Sequence, residues 1–377
     1  MIIAVNTRLL LQNRLEGIGW FTYETLSRMT KEHPEHHFYF LFDRPYHSEF
    51  VFASNVTPIV LSPPARHPVL FYIWFEFSVA RFLRKTKPDL FLSPDGYLSL
   101  KTKTASLAVI HDINFEHYPK DFPWIHKKYY LHFFPRFARK ARRIATVSEF
   151  SKQDIMEQYG IESSKIDVVY NGCNALFKPQ SEETNQGTRA LYTESKPYFV
   201  FVGALLPRKN LRNLFYAFEK YKQQTNSDTK LVIVGEKKWW TPSIEEAYQN
   251  IHDKNSVVFT GRLQPIDLNK VLSASIALTY VSYFEGFGIP ILEAFRCGTS
   301  VITSNITSMP EVAGDAALLI NPFSVDEIAD AMEKLADNPS LRNSLIAKSN
   351  RQLEKFSWDN TADLLWKCIE TATSNQP

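Results

Sequence analysis

The chain has 377 residues, 44% apolar and 22% charged, with a formal net charge of +3. Those proportions exclude a disordered or fibrous chain and predict two domains, each large enough to bury its own core. Three cysteines (Cys173, Cys297, Cys368) with no C-x-x-C spacing exclude a disulfide framework or a cysteine zinc site and suit a reducing cytosol.

The opening residues, MIIAVNTRLL, lack the basic, apolar and small-residue regions of a secretory signal. Short apolar runs at 2–5, 38–42, 89–92, 106–110, 143–147 and 166–169 predict buried parallel strands. Helical stretches such as 19–31 and 150–159 separate them, which predicts an α/β sheet. Two aromatic and basic stretches lie in this half. Residues 69–87 are interrupted by Glu76 and Arg81 and are too short to span a bilayer. Residues 124–143 carry seven Lys or Arg. Most of their aromatics are expected in the core, and some of their cations on an anionic membrane surface. No nucleic-acid motif accompanies them, so no nucleic-acid partner is expected.

Residues 179–196 are polar and read as a linker. The pattern then restarts, with strands at 198–202, 230–234, 257–260, 276–279, 300–303 and 317–320. Helices at 210–223, 266–274, 290–296, 325–336 and 339–356 alternate with them. The expected architecture is α/β: a Rossmann-like domain over 1–178, a second over 197–356, and a cleft between them. An apolar stripe in 358–373 predicts a terminal helix, within a 357–377 segment, that crosses back onto the first domain. Charge is uneven: residues 1–180 hold 23 Lys+Arg against 17 Asp+Glu, and the rest 20 against 23. The basic first half is expected to meet something anionic.

Three strings carry the chemistry. In FEGFGIPILEA (284–294), Gly286 and Gly288 permit a tight turn and Pro290 suits a helix start. Glu293 is then expected in the first helical turn, placed to accept from ribose hydroxyls, and Glu285 in the loop before it, within reach of sugar hydroxyls. The helix N-terminus favours a phosphate. The alternative is a Glu293 that balances the helix dipole and a solvated Glu285. In VGALLPRKN (202–210), Arg208 and Lys209 occupy a strand-to-helix loop, where two cations suit a diphosphate leaving group. In VIHDIN (109–114), His111 and Asp112 stand at a strand's carboxyl end, where catalytic and structural roles weigh equally.

Weaker signals are Gly17, Ile18 and Gly19, which fall short of a dinucleotide fingerprint, and TVSEFS (146–151). In the latter, Thr146 and Glu149 have the spacing of a capping box, with Ser148 between them. The chain has no Asp-x-Asp, the common carboxylate pair for a metal on a diphosphate. Arg208, Lys209 and a helix dipole are expected to do that metal's work.

These strings resemble glycosyltransferase family 4, retaining enzymes of the GT-B fold. FEGFGIPILEA is similar to that family's Glu-x7-Glu motif. EGIGWFTYETL, VIHDIN, TVSEFSK, VVYNGC, VGALLPRKN, VFTGRL, SNITSMPEVAGDAALLINP and FSWDNTADLL follow in the family's order. HDIN, PRKN and KKWWTPSIEEAY resemble bacterial mannosyltransferases of O-antigen and related surface polysaccharides.

The resemblance implies a nucleotide-sugar donor and a glycan or lipid-linked acceptor, with no metal cofactor. Arg208 and Lys209 would hold the diphosphate, Glu293 the ribose and Glu285 the sugar. Gly261, Arg262 and Leu263 would meet the base. Gly203 and the backbone of Gly286, Phe287, Gly288 and Ile289 would approach the phosphate or sugar. His111 would contact the sugar from the first domain. Gly17, Ile18, Gly19, Asp112 and Ser148 would line a donor or acceptor pocket. One departure is Ala204, where some relatives carry Arg after the glycine. The expected enzyme is a metal-independent retaining hexosyltransferase, cytoplasmic or at the inner face of the membrane, with GDP-mannose as donor. The alternatives are a UDP-sugar donor, a sugar-nucleotide 2-epimerase and a non-catalytic sugar-nucleotide binder.

Overall fold

The computed structural model describes residues 1–237 and 240–374. Lys238 and Trp239 of the KKWWTPSIEEAY string, and residues 375–377 of the expected terminal segment, lie outside the described residues.

The chain divides into two compact units. The first comprises Met1–Gly172 with the terminal segment from Trp358 onward, and the second comprises Cys173–Ser357. In the first unit seven strands form one sheet: β1 (Ile2–Asn6), β2 (His37–Phe42), β3 (Val56–Val60), β4 (Leu90–Ser93), β5 (Ser106–Val109), β6 (Arg143–Thr146) and β7 (Ile166–Val168). Their order is β3-β2-β1-β4-β5-β6-β7, and every pairing is parallel. In the second unit the strands are β8 (Tyr198–Val202), β9 (Lys230–Val234), β10 (Val257–Gly261), β11 (Ala277–Tyr280), β12 (Ser300–Ser304) and β13 (Leu318–Ile320). They run β10-β9-β8-β11-β12-β13, again all parallel.

The central strands are apolar on both faces because helices cover both. β8 (YFVFV) is buried at all five positions, and β4 and β11 are buried throughout. Each sheet reverses its winding once, between β1 and β4 and between β8 and β11. In open α/β sheets the loops leaving the strands at such a reversal form the ligand crevice.

The terminal helix Trp358–Thr373 packs within the first unit, as its apolar stripe predicts. Its Trp358 meets Phe21 edge to face, and its Asp359 pairs with Arg28 of the helix Gly17–Glu32. Two local expectations are corrected, and one strand was not read from the sequence. Residues 179–196 are not an irregular linker: Ser181 caps a helix over Glu182–Thr193. β3 (VTPIV) goes unread in the sequence because Pro58 argues against a strand; it survives on the sheet edge, where a missing N–H costs least. Thr146 does not cap the helix Glu149–Tyr159. Ser148 does, accepting from Ser151 N, while Thr146 donates to Ile110 O. Among the described residues no helix is long and apolar enough to cross a membrane.

Candidate active site in the second unit

β8 ends at Val202, and Gly203 follows with φ +147°. Gly235, after β9, has φ +154°, and a Cβ there would stand 1.9 Å from Gly203 O. Gly235 N donates to Gly261 O, at the end of β10. Three neighbouring strands thus end in glycine, forming a ledge of backbone against which the Lys209 side chain lies at Gly203. Gly203 and Gly261 are two residues expected at the site. Gly235 was not anticipated, although its place after VIV matches that of Gly203 after VFV.

The loop after β8 tightens into a short turn, Pro207–Lys209, ending at Asn210 in the left-handed region. Asn210 Nδ2 donates to Val281 O at 3.0 Å and to Pro322 O at 2.6 Å. Tyr283 N donates to Arg208 O at 2.9 Å, and Arg208 Nη1 to Phe284 O at 3.0 Å. These bonds knit the loop after β8 to the loop after β11, the two loops that leave the reversal point.

They bring the predicted charges together. Arg208 Nη1 lies 2.6 Å from Glu285 Oε2, and Lys209 Nζ 2.6 Å from Glu285 Oε1. Lys209 Nζ also donates to Tyr280 Oη at 2.5 Å. Glu285 is 6% exposed, so the alternative of a solvated carboxylate fails. Burial alone would raise its pKa, but the two cations outweigh burial and hold it at about 2. Tyr280 is pushed well above its ordinary value by burial and by the Glu285 charge, so it stays a neutral phenol. Ser308 Oγ lies 2.9 Å from both Glu285 O and Phe287 O and donates to them, fixing the Glu285–Phe287 backbone. Ser308 sits in the SNITSMPEV string, but its target carbonyls are over twenty residues away and invisible to local pattern.

Gly286, Phe287 and Gly288 are buried, and Gly288, with φ +113°, is the N-cap of the helix Ile289–Arg296. Glu293 is the fifth residue of that helix. It therefore lies in the second turn, not the first, and the helix dipole is a lesser influence there. It retains some exposed surface, yet protein crowds its carboxyl, and that desolvation pushes its pKa up to about 7. Burial raises the thiols of Cys173 and Cys297, and the charge of Glu293 nearby adds to the rise. Arg262 is exposed and Leu263 half-buried past the end of β10, two strands from the Arg208 loop.

The first unit holds the other predicted residues. Gly17, Ile18 and Gly19 open the helix Gly17–Glu32, and a Cβ on Gly19 would stand 3.1 Å from Leu9 O. His111, two residues beyond β5, meets Phe21 of that helix edge to face. Its Nε2 lies 2.8 Å from Pro94 O; a carbonyl only accepts, so Nε2 carries the proton. Burial lowers the imidazole's pKa. Asp112 Oδ1 accepts from Asn114 N, and Ser148 is the helix cap described above, so both have local structural work.

Sequence reading missed a polar cluster at the first sheet's reversal point. Asp95 accepts from Arg8 Nε and Asn6 Nδ2, each at 2.7 Å. The Arg8 guanidinium lies over Tyr97, 4.3 Å from its centroid. All four residues are buried.

Two family profiles match the chain. "Glycosyltransferase Family 4" covers residues 15–175 and "Glycosyl transferases group 1" covers residues 185–352. The chain is 29% identical to O-antigen chain mannosyltransferase B of Escherichia coli, over 74% of this chain and 73% of that protein. It is 26% identical to O-antigen chain mannosyltransferase RfbU of Salmonella typhimurium, over 85% and 86%. WaaG, a glycosyltransferase involved in lipopolysaccharide biosynthesis, superposes with a TM-score of 0.73 at 16% identity, covering 99% of this chain and 98% of that one. HepE of Anabaena, solved with UDP and glucose, gives 0.76 at 16% identity, covering 98% and 99%. These structures establish the GT-B fold.

Proposed function

The chain belongs to the glycosyltransferases and is a hexosyltransferase of the GT-B fold, and from that premise we propose that it moves mannose from GDP-mannose, with retention, to a surface-polysaccharide acceptor. The observation that carries the reading is the Arg208–Glu285–Lys209 cluster at the sheet's reversal point, with Glu285 and Lys209 buried and Arg208 half-buried. Two cations face one carboxylate, so the cluster has net positive charge. A diphosphate brings more negative charge than Glu285 and competes for the same cations. In this reading the nucleotide displaces Glu285, and the freed carboxylate turns to the sugar.

The bond from the anomeric carbon to the phosphate oxygen then breaks, and the acceptor hydroxyl forms the new bond on the same face. Its proton passes to the departing phosphate oxygen. Arg208 and Lys209 stabilise the charge that develops there, the task for which other enzymes recruit a metal. Glu293 accepts from ribose hydroxyls, and its elevated pKa means such bonds form best once it ionises. His111, protonated on Nε2, can accept from a hydroxyl only through Nδ1. The names of the two similar O-antigen mannosyltransferases favour mannose; HepE, solved with UDP and glucose, favours the UDP-sugar reading.

We propose also that the first unit rests on an anionic membrane surface. Val69, Tyr72 and Phe77 are exposed, and Arg81, Arg84 and Lys85 are exposed nearby in sequence. Lys101 Nζ lies 4.0 Å from the Phe77 ring centroid.

The test is a thermal-shift screen against GDP, UDP, GDP-mannose and UDP-glucose with EDTA present, followed by NMR of the product anomer. A ligand at a hundred times its Kd adds about 2.7 kcal/mol of apparent stability. Stabilisation by GDP and an axial mannosyl product support the reading. Stabilisation by UDP alone replaces the donor, loss of the shift in EDTA replaces the metal-free mechanism, and an inverted product replaces retention.

A further inference from the structure

The helix Gly17–Glu32 ends in the turn His33-Pro34-Glu35-His36, which leads into β2. His33, Glu35 and His36 each offer one ligand atom, all within 4.8 Å of one another. Glu35 Oε1 lies 3.8 Å from His33 Nδ1 and 3.2 Å from His36 Nε2. Two ligands at about 2.0–2.1 Å from one tetrahedral zinc ion stand roughly 3.4 Å apart. The two distances bracket that value.

The turn is held in place before any ion arrives. His36 N donates to His33 O at 3.2 Å and closes it. Asn55 Nδ2 reaches the carbonyls of Thr30, His33 and His36 at 3.1, 3.1 and 2.9 Å. Pro34 restricts the backbone between two of the ligands. Trp366, from the terminal helix, stacks on the His33 ring at 3.6 Å between centroids and 12° between planes, and also covers His36 at 5.1 Å. The other ring nitrogen of His36, Nδ1, lies 3.0 Å from the Met1 amine, so ligation through Nε2 puts the ring proton on Nδ1 and requires the Met1 amine to be neutral and accept it. Rings fixed in this way lose little rotamer freedom when a metal binds, the role outer-shell partners play at metal sites. Two imidazoles and one carboxylate suit zinc and its first-row neighbours rather than calcium or magnesium.

We propose that His33 Nδ1, Glu35 and His36 Nε2 form a divalent transition-metal site that ties the end of the helix Gly17–Glu32 beneath Trp366. It is a structural site, built from other residues than the donor cluster. Its outcome is therefore independent of the transferase reading.

The test is zinc titration of the tag-free, chelator-treated full chain by calorimetry, with cobalt absorption as a second readout. One equivalent of zinc per chain is expected, together with a rise in Tm. His33→Phe keeps a flat ring against Trp366 but removes a ligand. Glu35→Gln changes the most exposed of the three side chains and leaves folding intact. Each should weaken zinc binding at least tenfold and abolish the zinc-dependent rise in Tm, while His37→Gln, one residue beyond the trio, should do neither. No stoichiometric uptake by the wild type, or uptake undiminished in either ligand variant, overturns the site.

Discussion

Glu285 is charged where burial alone would neutralise it, because Arg208 and Lys209 surround it. Its pKa is lowered, so its contribution to stability is present above the unfolded value of about 4.3 and is lost as pH falls through about 2. Glu293 behaves oppositely. Its folded pKa of about 7 lies above the unfolded value, so the folded state binds the extra proton between them. Its presence therefore costs stability progressively as pH rises from the usual carboxylate range to 7, and fully above that. Glu293→Gln should raise the Tm of the ligand-free protein at pH 8 but not at pH 4, by about 2–4 °C for each kcal/mol relieved, while weakening donor binding. Thermal melts at both pH values check this, and an unchanged difference would remove burial as the cause. Arg208→Ala should cost about 2–4 kcal/mol in kcat/KM, as a lost oxyanion donor does; near-wild-type turnover would remove Arg208 from the leaving-group role. The residue types at 208, 209, 285 and 293 were legible from the sequence. The ion pairs among them were not, because they bridge some seventy-six positions and depend on two loops meeting at the reversal of the sheet.

At the scale of elements, most strands and helices follow from apolar runs and helical periodicity, with ends shifted by a residue or two. The failures have local causes. The helix Glu182–Thr193 is polar on most of its surface, and its signal was the Ser181 cap followed by two acidic residues rather than an apolar stripe. In Thr146–Ser148 two hydroxyl residues compete for the cap, and only the sheet decides between them by engaging Thr146 with Ile110. The glycine ledge is the element-level feature with the tightest geometry. Gly235→Ala places a Cβ against Gly203 O and should destabilise the second unit by at least about 3 kcal/mol, the upper end of overpacking costs. Denaturant melts showing a smaller loss would mean the ledge can relax. Asp95→Ala strands the buried Arg8 charge and should cost about 3–5 kcal/mol, read as a shift in the same melts without a change in the nucleotide specificity of the second unit.

For the whole molecule, the two proposed roles fall on different units: the first carries the exposed aromatic and cationic strip, and the second the Arg208–Glu285–Lys209 cluster. Phe77→Asp should reduce sedimentation with vesicles containing phosphatidylglycerol and leave binding of free nucleotide unchanged; undiminished sedimentation would remove that strip as the contact. The central claim is that Glu285 holds the phosphate cations until a nucleotide takes them. The most direct measurement is calorimetric titration of the wild type and Glu285→Gln with GDP and with UDP, in EDTA. The account predicts that one nucleoside diphosphate binds both proteins, and binds Glu285→Gln more tightly because its cations are no longer neutralised, even though that variant transfers sugar poorly. Binding that is equal or weaker in Glu285→Gln, or absent for both nucleotides, would contradict it.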